Sequence, residues 1–208
     1  MCIRDSNILC TTGTHQILGP YRAAKNVFDI DSTQLIQALD RLETDGRLVG
    51  EDGFDLQGPF CLGGTVSPFS DPVELQILRM KKKSVAGAKF LITQPIFDIE
   101  RFDLWWKEAV RGGSHEKTAI LAGIRILTGA DMAEAYTTKR PSPQIPETIL
   151  DRIRSKENPS DQRAEGITIA LETIERLSAM SGLRGFEIYS GDDDAVLEVI
   201  EKAGLSIN

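Results

Sequence analysis

The feature that most constrains this chain is a rhythm in which a short apolar run, a turn and a longer amphipathic stretch recur in that order. It starts with Asn7-Ile-Leu-Cys-Thr11, which ends in Thr12-Gly13. Phe60–Val66, Lys89–Gln94, Thr118–Ile124 and Gly185–Ser190 are the later runs. Apolar strands of four to seven residues without polar alternation predict burial on both faces, and the connections are long enough for parallel crossovers. The order is β-α five times over. Two architectures satisfy it, an open doubly wound sheet or a piece of a (β/α)₈ barrel. Residues 1–20 contain no Gly-x-Gly-x-x-Gly turn, which weighs against a dinucleotide-binding form of the first.

Helix signals fill the intervals. Asp31-Ser32 caps a helix carrying Leu35, Ile36, Leu39 and Leu42. Asp71-Pro72 opens one that runs to Ala86 and stops at Gly87. Pro95 blocks continuation of the third strand, and Asp98 caps a helix with Phe102, Trp105, Trp106 and Val110, ended by Gly112-Gly113. Residues 44–58 are rich in Gly and Asp, with Arg47–Gly53 reading as a surface hairpin or loop. Pro141, Pro143 and Pro146 mark a crossing into Glu147–Arg154. A long helix over about Ala164–Ser181 aligns Ile167, Leu171, Ile174 and Leu177, and Asp192–Ala203 closes the chain. No linker divides these units, so the expectation is one domain over residues 1–208, with Met1–Ser6 a non-native or disordered start.

Charge and cysteines narrow the class of partner. With 24 basic and 31 acidic residues the net charge is −7, and the one basic cluster, Arg79–Lys83, is short, so nucleic acid and anionic membrane are not expected partners. Cys2, Cys10 and Cys61 lie far apart and read as reduced thiols of a cytoplasmic protein, not as a disulfide framework or metal site. No apolar run approaches the ~20 residues a membrane span needs.

In a parallel α/β protein reactive groups gather where strands end and βα loops begin. Those positions are Thr12-Gly13-Thr14-His15, Gly63–Ser67, Thr93-Gln94, Ile124-Arg125 and Glu187–Tyr189. Among them, Gly87-Ala-Lys-Phe-Leu-Ile-Thr-Gln94-Pro-Ile-Phe-Asp98 resembles the Gly-Ala-x-x-x-Ile-Thr-Gln-x-x-Phe-Asp segment of methylenetetrahydrofolate reductases. Asn7–Gly13, Lys83 eleven residues before the glutamine, Ala122-Gly-Ile124 and Gly185–Ser190 fall in that family's order, so the likeness spans roughly residues 7–205. It implies a (β/α)₈ TIM-barrel flavoenzyme that passes a hydride from NADH or NADPH through FAD to 5,10-methylenetetrahydrofolate, giving 5-methyltetrahydrofolate.

The same resemblance assigns residues. Gln94 matches a glutamine that pairs with the pterin, for which a planar amide is suited. Lys83 matches a lysine near the FAD phosphates, and Gly13 a glycine that lets the backbone approach the flavin. Thr12, Thr14, His15 and Thr65 complete the expected cofactor set. Tyr136 stands at the spacing of an aromatic that covers the folate, and Tyr189 matches a last-strand tyrosine that shares a face with Glu187. His115 reads as a solvated loop residue, and no metal site is expected. Gly13, Thr65, Gln94 and Tyr189 should lie along one rim.

The departures from the family are specific. Thr14 stands where it often has an aspartate near the flavin, Asp192-Asp193-Asp194 where it has an arginine that helps hold the folate tail, and Gln76 where it has an acid near the adenosine. A barrel uses eight units of roughly 31 residues; the five here match strands four to eight. The unit bearing the family's catalytic glutamate has no counterpart in this sequence, so the expectation is a piece of a reductase, inactive alone. The competing expectation is a non-catalytic flavin- or folate-binding subunit or relic. Five unclosed strands leave two sheet edges that invite another chain or a second copy.

Overall fold

The computed structural model describes residues 7–13, 29–46, 60–139 and 145–206, together with positions 23 and 25. Thr14, His15, the Arg47–Gly53 loop and Met1–Ser6 lie outside the described residues. The strands are β1 (Asn7–Cys10), β2 (Cys61–Val66), β3 (Phe90–Pro95), β4 (Ala119–Arg125) and β5 (Gly185–Tyr189). All four pairings are parallel and the spatial order is β1-β2-β3-β4-β5. That order decides between the two architectures. A doubly wound sheet reverses its strand order at a switch point, whereas here each strand lies beside its successor, the arrangement of consecutive units of a (β/α)₈ barrel.

Between β1 and β2 lies α1 (Ser32–Asp45); α2 (Val73–Val85) leads to β3, and α3 (Ile99–Arg111) and α4 (Ser114–Lys117) lead to β4. Then come α5 (Ala130–Lys139), α6 (Glu147–Arg154) and α7 (Pro159–Ser178) before β5, and α8 (Asp193–Lys202) after it. Local chemistry sets several starts. Asp31 and Gln34 form a reciprocal capping box on α1, and Asp98 and Asp192 accept the third backbone N–H of α3 and α8. α7 begins five residues before the expected Ala164, because Asn158 caps it and Pro159 occupies its first turn. Two helices went unforeseen, α4 and α5. His115 sits in α4 with its ring edge-to-face against Trp106, centroids 5.9 Å apart, and its Nδ1 buried, so it is not a solvated loop residue.

Right-handed crossovers between sequential parallel strands put their helices on one side of a sheet, and the burial pattern agrees. Cys10, Leu62, Val66, Leu91, Ile120, Ala122 and Ile124 point into the main core with Ile36, Met80, Phe102, Trp105, Ile174 and Leu177. The alternate residues stay half-buried or exposed, among them Leu9, Thr65, Phe90, Ile92, Gln94, Arg125, Glu187 and Tyr189. A second cluster of Phe97, Leu127, Ala133, Tyr136, Ile145, Leu150, Ile153 and Ile169 joins α5, α6 and α7 beyond the end of β4. Gly166 permits this junction, since a Cβ there would stand 1.8 Å from the Leu127 carbonyl oxygen.

Pro95 ends β3 but is itself paired, one residue later than expected. The register shifts between Ile92 and Pro95, and Pro95 pairs with Gly123 across the irregularity. The missing ladder bond is replaced by a side chain: Gly123 N–H donates to Thr93 Oγ1 at 2.9 Å, and that hydroxyl donates to the Gln94 carbonyl at 2.8 Å. A Cβ on Gly123 would come within 2.6 Å of the Thr93 carbonyl oxygen, so the bulge requires glycine beside it.

Candidate functional site

Because the strands run parallel, their C-terminal ends share a rim, and Gly13, Thr65, Gln94 and Tyr189 all lie at those ends. Two side-chain groups occupy the rim. The first is a cleft of about 350 Å³ whose lining includes Thr12, Asp31, Thr65, Gln76, Arg79 and Lys83. Gln76, Arg79 and Lys83 recur at three- and four-residue spacing along α2, which places them on one helical stripe. Lys83 donates from Nζ to the Thr65 carbonyl at 2.7 Å, and Thr12 Oγ1 accepts from the Ser32 backbone N–H at 3.0 Å. Three of the expected cofactor residues, from two successive βα units, therefore converge on one cleft.

The electrostatics of this cleft are those of a partly desolvated cation. Burial pulls the Lys83 ammonium below the ordinary lysine range and Arg79 adds repulsion, while Asp31 and Cys10 pull the other way. An added anion would relieve both unfavourable effects. The N-terminus of α1 contributes less than its position suggests, because the Asp31 carboxylate already accepts the Gln34 N–H there at 2.8 Å. Gln76 is 5 % exposed, an uncharged wall to the same cleft. Cys10, next to it, is a buried free thiol pushed up by desolvation, and Cys61 is also free.

The second group centres on a residue that the assignment of roles omitted. Arg125, the last residue of β4, lies with its guanidinium carbon 5.0 Å from the Tyr136 ring centroid and 5.1 Å from that of Tyr189. Tyr189 is its register partner on β5, and Glu187 is the partner of Gly123 one step below. Tyr136 comes from α5, is 6 % exposed, and meets Phe97 edge to face at 5.8 Å. Its ring thus meets both Arg125 and Phe97. The one signal for Arg125 in the sequence was its place at a strand end. Nothing local showed that α5 and β5 would bracket it.

Burial, reinforced by Tyr136 and Glu187 and opposed by Arg125, pushes the Tyr189 hydroxyl up to about 12. Desolvation also raises the Glu187 carboxyl above the usual carboxylate range. Gln94 is half-buried on β3 and shares the alternation of Phe90 and Ile92 toward the open face. An amide, a weakly acidic carboxyl, a phenol and a guanidinium thus line one side of the sheet end, a set suited to a polar heterocycle with an anionic extension. Among the described residues no three His, Cys, Asp or Glu side chains stand together as a metal site, and no helix is long and apolar enough to cross a membrane.

Comparison with known proteins agrees with this architecture. Methylenetetrahydrofolate reductase 1 of Schizosaccharomyces pombe is 27 % identical over 152 residues, which is 70 % of this chain and 24 % of that protein. The chain therefore spans about a quarter of the length of that curated relative. A solved structure, an uncharacterised protein from Clostridium thermocellum that binds two copies of 5-methyl-5,6,7,8-tetrahydrofolic acid, superposes with a TM-score of 0.51 at 16 % identity. It covers 82 % of this chain and 67 % of its own, a likeness that bears on the fold. The sequence profile described as methylenetetrahydrofolate reductase matches residues 58–204, most of the chain. The protein belongs to the methylenetetrahydrofolate reductase family.

Proposed function

We propose that this chain supplies the folate-facing and flavin-facing rim of a reductase that converts 5,10-methylenetetrahydrofolate to 5-methyltetrahydrofolate with NADH or NADPH. The observation that carries the reading is the convergence of Thr12, Thr65 and Lys83 on one cleft at the strand-end rim where Gln94 and Tyr189 also lie. The cleft fits the diphosphate part of FAD: two cations, Lys83 and Arg79, face a single acid, Asp31, and five serine and threonine side chains line it. FAD, when bound, supplies the hydride relay between nicotinamide and folate. Lys83 and Arg79 neutralise phosphate charge, and the Thr65 carbonyl fixes the Lys83 ammonium in place. Gln94 reads the edge of the pterin with its amide, whose carbonyl accepts and whose NH₂ donates.

The test is binding by the purified chain. Titration with FAD, read as quenching of flavin fluorescence, should show saturable binding that Lys83→Ala weakens and Lys82→Ala, at an exposed position of the same helix, does not. Titration with 5-methyltetrahydrofolate should saturate too, with loss in Gln94→Ala. Flavin binding that is indifferent to Lys83 overturns the cofactor assignment. Absence of any folate binding overturns the substrate.

A further inference from the structure

Among the described residues Arg125 is a cation without a counterion. It forms no ion pair among the described residues, and its Nε is buried with no hydrogen-bond partner among them. The acids nearest in sequence to Tyr189 do not serve it. Asp192 is held by Arg163 at 2.6 Å and caps α8 through the Ala195 N–H at 3.1 Å. Asp193 and Asp194 belong to the first turn of α8 and make no ion pair with Arg125. Glu187, on the same face of β5, forms no ion pair with it either, and burial biases that carboxyl toward its neutral form. Two tyrosine rings bracket the guanidinium, and the Tyr189 hydroxyl accepts from it, which leaves its Nε–H in place and unused. Leaving such donors buried and unused costs free energy, and a ligand oxyanion removes that cost.

Position identifies the part of the ligand concerned. Arg125 lies two residues beyond Gly123, which faces the Gln94 bulge, so it stands roughly 6–7 Å further out along the strand direction. A ligand whose heterocycle meets Gln94 would present its distal end to Arg125. We propose that Arg125, clamped between Tyr136 and Tyr189, is the specificity residue for a carboxylate at that distal end, the glutamate tail of the folate. This rests on the folate reading above. A planar guanidinium matches a carboxylate with two parallel hydrogen bonds, which a lysine ammonium cannot reproduce.

The experiment compares two ligands that differ only in the tail, 5-methyltetrahydrofolate and the corresponding 5-methyltetrahydropteroate, which lacks the glutamate. Dissociation constants are measured by calorimetry for the wild-type chain, Arg125→Met and Arg125→Lys. The wild-type chain should prefer the tailed ligand by about tenfold to a hundredfold, the range for a hydrogen bond to a charged group. Arg125→Met should bind both ligands equally, at the wild-type affinity for the tailless one, and Arg125→Lys should keep only a small preference. A variant that loses affinity for both ligands by the same factor, or a wild-type chain without tail preference, overturns the clamp and leaves the folate reading standing. A wild-type chain that binds neither ligand overturns both. NADPH is titrated in parallel. If Arg125→Met weakens NADPH and spares the tail preference, the anion held is a phosphate and the assignment to the folate is wrong.

Discussion

The hydroxyl of Thr93 accepts the backbone N–H of Gly123 at 2.9 Å, so a side chain completes the ladder between β3 and β4 where the register slips. Thr93 is 4 % exposed, and water cannot replace it there. Thr93→Val keeps the shape and removes the acceptor, leaving a buried N–H unsatisfied at a cost of about 1–3 kcal/mol. Thr93→Ser should recover most of that loss. Urea denaturation of the three proteins measures it, and equal stability of the Val variant would mean that the bulge is held by other contacts.

Gly166→Ala reverses an ordinary rule. Replacing a mid-helix glycine by alanine usually stabilises by roughly 0.5–1 kcal/mol. Here the new methyl meets the Leu127 carbonyl at 1.8 Å, so α7 must shift away from the end of β4. Overpacking of this kind costs about 1–3 kcal/mol. A lower melting temperature for Gly166→Ala than for the wild type is the expected result.

Neighbours on α3 should behave oppositely. Trp105 is 1 % exposed and packs against Phe102 with ring centroids 5.6 Å apart, whereas Leu104 is 66 % exposed. Trp105→Ala should cost about 3–5 kcal/mol through transfer and cavity terms. Leu104→Ala should stay within about 0.5 kcal/mol of wild type. Chemical denaturation of both variants tests the orientation of the helix.

Tyr189 gives a pH signature. Its hydroxyl is raised to about 12 in the fold, chiefly by burial, against the ordinary tyrosine value of about 10. The folded chain therefore holds this proton more tightly than the unfolded chain does. The linked stability is fully present below pH about 10 and is lost as pH rises toward about 12. Phenolate absorbance should show a late-ionising component that Tyr189→Phe removes. Should the component persist in that variant, it belongs to another of the three tyrosines in the chain.

Much of this molecule was legible locally. Asp31 with Gln34, Asp98 and Asp192 are caps that work through their own backbone, and the structure uses each of them. Asn158-Pro159 is an equally local signal, but the apolar stripe of α7 starts later and drew the expected boundary to Ala164. α5 has no such stripe; it is held by Ala133 and Tyr136 entering a cluster built from α6, α7 and the segment after β4, contacts distant in sequence. Pro95 has the residue chemistry of a strand breaker and is kept in β3 by the Thr93 hydroxyl two residues before it, which accepts the Gly123 N–H of the neighbouring strand.

The sequence by itself determined the number and kind of units, because hydrophobic periodicity and capping act over a few residues. It also placed Gln94, Tyr189 and Arg125 at strand ends, since a strand's end is a local event. The order of the strands was decided only by the tertiary structure: sequential and doubly wound sheets bury the same apolar runs, and only pairing across the sheet separates them. The same holds for the site. Only the fold shows Lys83 reaching back from α2 to the Thr65 carbonyl of β2, and Arg125 became a clamp because α5 and β5 bring two tyrosine faces to it. Long-range packing fixes those distances, and no spacing along the chain encodes them.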